Sequence, residues 1–357
     1  MSEQGLTIKS HKGSYSARFV DDPFAVLAER LDERAHLIID QRVMELYSAQ
    51  LSGIIGHPSV LRIEATETNK SLDKFPAYVD HLVQHKLRRD HRIIAVGGGI
   101  IQDITCFLAA TMLRGVDWEF FPTTLLSQAD SCIGSKSSIN SGDAKNILGT
   151  FTPPRDIFIS ERFLETLESR DVRSGVGEML KVHAIKGPEA FQQIAGDYEA
   201  LFSDPSCMRG YIRASLEIKK DYIEVDEFDQ GIRNIFNYGH SFGHAIEAAT
   251  HFQIPHGIAV TIGMDMANYV AAKIGRCDEQ HYLASRDVLR KNYAAYAAHP
   301  VPFDAFLSAI SKDKKNIGKQ LSLILPGNDR RVSKDQYDFS DQLKAVFSEY
   351  LETARSI

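Results

Sequence analysis

Two histidines and a glutamate stand close together in Arg233-Asn-Ile-Phe-Asn237-Tyr-Gly-His240-Ser-Phe-Gly-His244-Ala-Ile-Glu247, a run that continues to His256 and Gly257. On a helix, His240, His244 and Glu247 fall at i, i+4 and i+7 and share one face. Two imidazoles one turn apart suit a divalent cation, and a carboxylate on the same stripe can hold one ring by its second nitrogen. A buried helix with hydrogen-bonded histidines explains the pair alone equally well. Arg233, Asn237 and His256 weigh toward chemistry. Gly239 and Gly243 cost helix propensity, which implies something large packed against the backbone here.

The elements that must position these groups are legible in outline. A length of 357 residues suits two domains. Hydrophobic content of 43% with 25% charged residues is that of a soluble globular chain, and a net charge of −6 excludes a basic nucleic-acid footprint. No apolar run is long enough for a membrane span, and the N-terminus has no signal core. The four scattered cysteines fit reduced thiols and a cytoplasmic location.

Residues 1–20 read as an edge strand pair, and Ala35-His-Leu-Ile-Ile-Asp40 as a buried parallel strand ending in an acid. Asp40 would meet a ribose hydroxyl or cap the next helix. Val60–Ala65 is a further strand, followed by Glu67-Thr-Asn-Lys70. His91-Arg-Ile-Ile-Ala-Val-Gly97-Gly98-Gly99 breaks into glycines before a helix. Such a turn lets a diphosphate approach bare amides and the positive end of the helix dipole, or serves only tight packing. Trp118–Pro122 and Asp156–Ser160 are strands. The stretch from Asp130 through Lys136 to Lys145-Asn146 reads as a polar loop suited to an anionic, hydroxyl-rich ligand. After residue 160 helical periodicity dominates until a strand near Leu321–Ile324. The expected domains are therefore 1–160, α/β and Rossmann-like, and 161–357, mostly α-helical. The cleft between the halves is the default site.

Several segments, in shared order and spacing, resemble the 3-dehydroquinate synthase family of sugar phosphate cyclases. They are Val96-Gly-Gly-Gly-Ile-Ile-Gln-Asp103, Met112-Leu-Arg114-Gly, Pro122-Thr-Thr-Leu-Leu-Ser-Gln-Ala-Asp130-Ser, Lys145-Asn146, Ser174-Gly-Val-Gly-Glu178-Met-Leu-Lys181, Lys219, Arg233, the His240–Glu247 run, Pro255-His256-Gly and Asp313-Lys-Lys315. The resemblance implies an N-terminal NAD-binding domain and a helical metal-binding domain. It implies Glu178, His240 and His256 as ligands of a divalent metal, zinc first and cobalt as the alternative. One carboxylate and two imidazoles leave zinc the open positions of a catalytic site. It places His244 as a proton shuttle or outer partner, with Lys181 and Lys219 near the metal. Arg114, Lys136, Asn146, Arg233, Asn237 and Lys314 or Lys315 would surround anionic substrate groups. Asp40, Glu67, Lys70, Gly98, Gly99, Asp103, Thr123, Thr124, Asp130 and Lys145 would serve the dinucleotide. A homodimer is expected from the family alone.

The implied reaction is ring closure with loss of phosphate and no net redox change. NAD oxidises a secondary alcohol, phosphate leaves by elimination, hydride returns, and the enol closes on the other carbonyl. The first expectation is 3-deoxy-arabino-heptulosonate 7-phosphate converted to 3-dehydroquinate in the shikimate pathway. Gly134-Ser135-Lys136 replaces the usual Gly-Gly-Lys, and Ile258 stands where an acid is common. These departures keep open a 2-epi-5-epi-valiolone synthase acting on sedoheptulose 7-phosphate, or a 2-deoxy-scyllo-inosose synthase acting on glucose 6-phosphate. A glycerol dehydrogenase-type enzyme would not need Arg114, Lys136, Arg233 and Lys315. A non-catalytic relative would not need all three metal ligands.

Overall fold

The computed structural model describes residues 5–142, 144–313, 316–318 and 320–355. Its strands are β1 (Leu6–Ile8), β2 (Tyr15–Phe19), β3 (Ala35–Asp40), β4 (Val60–Ile63), β5 (Arg92–Gly97), β6 (Asp117–Pro122), β7 (Lys136–Ser141), β8 (Ala144–Phe151), β9 (Asp156–Ile159), β10 (Gln320–Pro326) and β11 (Val332–Asp338). Seven of them form one sheet in the order β1-β2-β9-β6-β5-β3-β4. Only the β1–β2 pair is antiparallel. The interior strands are apolar at nearly every position because both faces are covered: Ile93 to Val96 and Leu37 to Ile39 are almost wholly buried. β4 lies on one side of β3 and β5 on the other. Strand order therefore reverses between β3 and β5, and in open parallel sheets ligands bind beyond the strand ends at such a point.

The chain divides into two compact units, Met1–Glu168 with Lys219–Asp229, and Ser169–Ile218 with Gln230–Ile357. Periodicity had placed residues 219–229 with the second half. The polar stretch read as a loop is instead the antiparallel hairpin β7–β8. Ile139 is fully buried, and Ser137 Oγ meets Thr150 Oγ1 across the strands at 2.8 Å. Short hydroxyl side chains thus do the cross-strand pairing that a hydrophobic alternation would have revealed. The run from Arg233 to Glu247 is a tight 3-10 turn, Ile232–Asn237, then a helix only from His240 to Ala249. Gly239, at φ 77°, separates them. Helix Phe303–Ser311 falls within the helical stretch, and helix Asp341–Glu349 follows the strand expected near Leu321–Ile324.

In the second unit, helix His256–Lys273 is buried on almost every side. Helices Ser169–Lys186 and His240–Ala249 cross it through glycine. A Cβ on Gly257 would stand 1.9 Å from the Ser174 carbonyl oxygen, and one on Gly177 2.2 Å from that of Gly257. A Cβ on Gly263 would stand 2.0 Å from the Gly239 oxygen, and one on Gly243 3.0 Å from that of Ala259. Backbone of helix His256–Lys273 therefore packs against both glycines of the histidine run, joined at Gly239 by the Met264 side chain.

Two predictions follow from this packing. Gly257→Ala meets immovable backbone and should lose about 3 kcal/mol or more in denaturant unfolding. Gly196→Ala, with open space around it, should shift stability by less than about 1 kcal/mol. Equal, small changes would disprove the close crossing. In the first unit, His36 bonds Ser59 Oγ at 2.6 Å and His91 at 2.9 Å. Burial, then the neighbouring His91, lowers its pKa to about 4. The folded value lies below the unfolded one, so its stabilisation is complete above pH 6.5 and lost as pH falls toward 4. His36→Gln should therefore flatten the pH 7.5 to 4.5 stability loss by about 2 to 3 kcal/mol; an unchanged slope would refute this.

Candidate functional site

Glu178 sits in the middle of helix Ser169–Lys186, His240 opens helix His240–Ala249, and His256 opens helix His256–Lys273. The glycine crossings bring the three together. Glu178 Oε1 is 3.7 Å from His240 Nε2 and 3.4 Å from His256 Nε2. Ligands about 2.1 Å from a tetrahedral ion stand about 3.4 Å apart, so the spacing fits such an ion. Glu178 is 1% exposed, and its Oε1 has no hydrogen-bond partner. A buried carboxylate oxygen without a donor is costly unless a cation takes it.

The surroundings orient this set. His240 Nδ1 donates to the Tyr238 carbonyl at 3.2 Å, and His256 Nδ1 to Glu247 Oε2 at 3.1 Å. In each ring the proton on Nδ1 turns the Nε2 lone pair toward Glu178. Glu247 thus holds a ring as expected, but that of His256 on the next helix. The Lys181 ammonium bonds Glu178 Oε2. Burial opposes ionisation of Glu178, but Lys181 and His256 prevail and hold it below the carboxylate range. Burial would lower His256, yet Glu178 and Glu247 raise it to about 10. That is the signature of a pocket that favours a cation. His244 lies on the same helix face, exposed, with its ligand atom within 4.8 Å of those of His240 and His256. These three imidazoles are thus close enough to share an ion.

Arg233 is buried on the 3-10 turn ahead of His240, and Asn237 Nδ2 donates to the Asn234 carbonyl. Sequence reasoning missed Tyr238. Its role here is played by a backbone carbonyl, which no side-chain pattern encodes. Lys314 and Lys315 lie outside the described residues.

In the first unit, most residues expected at the dinucleotide follow the C-terminal ends of β4, β3, β5 and β6. Gly98 caps helix Gly99–Thr111, leaving its first amides bare. A Cβ on Gly97 would strike Ile101 and one on Gly98 would meet Thr124, whereas Gly99 faces open space. Tight packing thus explains the first two glycines, and Gly99 is left for a ligand's approach. Thr123 N donates to the Gly97 carbonyl, and Thr124 Oγ1 meets Ser127 Oγ at 2.9 Å. Asp40 accepts from Arg42 N at 3.0 Å, so it does cap its helix.

Lys70 is 5% exposed and bonds Asp103 Oδ2 at 3.1 Å and Asn146 Oδ1 at 3.0 Å, with Glu67 Oε1 at 3.6 Å. Asn140 joins Glu67 Oε2 at 2.8 Å, a link absent from the sequence reading. Burial raises Asp103 above its usual range while Lys70 pulls it down.

Other expected groups stand apart from that network. Lys219 donates to the Asp130 carbonyl and pairs with its carboxylate, both at 2.5 Å, so Asp130 meets a lysine within the protein. Lys136 pairs with Asp229, and Lys145 is exposed on β8. Arg114 is expected among the groups around the substrate. It follows the far end of helix Gly99–Thr111, exposed, and a 13-residue helix separates it from Gly98 by about 20 Å.

The family model for the 3-dehydroquinate synthase N-terminal domain matches residues 60–174, and that for the C-terminal domain residues 175–316. A 3-dehydroquinate synthase from Streptococcus equi subsp. equi is 34% identical over 346 residues, covering 92% of this chain and 94% of that one. The solved 2-epi-5-epi-valiolone synthase of Streptomyces hygroscopicus subsp. jinggangensis, with NAD+ and Zn2+ bound, superposes with a TM-score of 0.84 at 26% identity. It spans 95% of this chain and 97% of its own. A 2-deoxy-scyllo-inosose synthase complexed with carbaglucose-6-phosphate, NAD+ and Co2+ gives 0.82 at 22% identity, covering 98% and 99%, and shares the fold. Among the described residues no helix is long and apolar enough to cross a membrane. With both halves matched in order and a relative alike over nearly its whole length, the chain belongs to the 3-dehydroquinate synthase family.

Proposed function

We propose that this protein is a sugar phosphate cyclase dependent on NAD and a divalent metal. Its substrate is 3-deoxy-arabino-heptulosonate 7-phosphate, closed to 3-dehydroquinate with release of phosphate. The single observation that carries the metal-dependent chemistry is the convergence of Glu178 Oε1, His240 Nε2 and His256 Nε2 around an otherwise unsatisfied buried oxygen. The relatives named 3-dehydroquinate synthase carry the choice of substrate.

When bound, NAD supplies reversible hydride transfer and the divalent cation polarises a substrate oxygen. The chain's own groups do the rest. The amides after Gly98 hold the cofactor's diphosphate, and Asp40 offers a carboxylate at the switch point. Glu178, His240 and His256 hold the cation, with Zn2+ favoured by the two imidazoles. Lys181 keeps Glu178 ionised and is set beside the substrate's oxygens. His244, exposed and next to His240, exchanges protons with the substrate. Arg233 and Asn237 receive anionic groups, where a guanidinium offers paired donors. Lys136, Asn146, Lys219 and Arg114 complete the substrate set. The family resemblance gives the expectation of a homodimer, and of a cytoplasmic location.

Glu178→Gln should lose stoichiometric zinc by metal analysis and all turnover, whereas Glu247→Gln should keep the site but bind zinc about 10- to 100-fold more weakly. Wild-type zinc content in Glu178→Gln removes it from the ligand set. Offered 3-deoxy-arabino-heptulosonate 7-phosphate, sedoheptulose 7-phosphate and glucose 6-phosphate in turn, the protein should release phosphate from the first without accumulating NADH. Exclusive turnover of another compound reassigns the substrate, and net NADH formation without phosphate makes it a dehydrogenase.

A further inference from the structure

The second unit contains a shallow, open recess that shares no residue with the Glu178, His240 and His256 set. Met264 and Leu289 line it and are buried, with Phe191 beside them. The ring of Tyr238 forms another part of the wall. The buried polar side chains of that wall, Tyr238, Asn268 and Ser285, bond one another. The Tyr238 hydroxyl donates to Asn268 Oδ1, and Asn268 Nδ2 donates to Ser285 Oγ at 2.8 Å. The wall therefore offers an occupant mostly hydrocarbon surface.

Two further lining groups are of another kind. The Arg330 guanidinium is half-buried and makes no hydrogen bond or ion pair among the described residues. His281, also half-buried, makes no side-chain hydrogen bond; burial and Arg330 lower its pKa while Asp278 partly offsets them. Of these two basic side chains His281 has Asp278 beside it, whereas Arg330 has no ion pair among the described residues. Arg330 also adopts φ 61° on the β10–β11 turn, where the Arg330 amide donates to the Gly327 carbonyl at 2.9 Å. A non-glycine residue in this conformation costs backbone energy, which the closed turn imposes.

We infer that this recess is a second ligand site, for a small apolar carboxylate. Its hydrocarbon body lies against Phe191, Met264 and Leu289, and its carboxylate meets Arg330 with His281 alongside. Arginine's fork matches a carboxylate with two parallel hydrogen bonds. A neutral apolar molecule would leave the guanidinium unanswered, and a phosphorylated sugar would bury hydroxyls against Met264 and Leu289. The position gives the site a regulatory reach. The occupant rests on the ring of Tyr238, whose carbonyl orients His240.

Benzoate serves as the probe, titrated calorimetrically into the full-length, metal-loaded protein. Benzoate should bind one site per chain, and benzyl alcohol, with nearly the same body and no charge, about tenfold or more weakly. Arg330→Met should weaken benzoate by a similar factor, and Ala284→Phe, which fills the recess, should abolish binding. Arg330 forms no contact needed for folding, so its variant decides the matter if Ala284→Phe fails to fold. Benzoate bound equally well by wild type and Arg330→Met would mean capture at the metal instead and overturn the proposal. Equal binding of benzyl alcohol, or no binding at millimolar benzoate, would overturn it too.

Discussion

Helix axes approach closely only where no Cβ stands between them, and the second unit depends on that constraint. Gly177 and Gly257 let helices Ser169–Lys186 and His256–Lys273 touch backbone to backbone, and Gly239 and Gly263 do the same for helix His240–Ala249. Each of the three converging side chains is the immediate neighbour of one of these glycines: Glu178 of Gly177, His240 of Gly239, His256 of Gly257. The packing device and the site are one arrangement. A substituent at a crossing would push a helix outward by more than the few tenths of an ångström that a metal's bond lengths tolerate.

Charge is arranged with similar economy. Taking Glu178 out of water is unfavourable, and the protein offsets this unequally at the two oxygens. Lys181 satisfies Oε2, while Oε1 is left to the imidazoles and to whatever cation they bind. Glu247 performs the matching task for His256 from behind. In the first unit the buried Lys70 plays the central part, holding Asp103 on a helix and Asn146 on a hairpin. Glu178 and Lys70 are each met by an opposite charge, as the cost of isolated ions in a low dielectric requires.

Much of this was visible in the residues. Strands β3, β5, β6 and β9 announced themselves as short apolar runs because both faces of the sheet are covered. The glycine turn at Gly97–Gly99 and the shared face of His240 and His244 follow from local periodicity. The hairpin β7–β8 escaped because serine and threonine pair across it, so its pattern is that of a polar loop. Helix His240–Ala249 starts only at His240 because the left-handed backbone at Gly239 breaks it from the 3-10 turn before it.

The sequence by itself determined which residue types were available, their local spacing and the family to which the chain belongs. These are properties of neighbours along the chain, where helix and strand periods translate directly into faces. Only the tertiary structure decided that the Glu178 Oε1 facing His240 and His256 has no donor of its own, that Glu247 supports a ring on another helix, and that Arg114 lies a helix length from Gly98. Each of those outcomes depends on how separate elements cross. Crossing is set by backbone contact and by the need to satisfy buried polar atoms, neither of which is written in the spacing of any one segment.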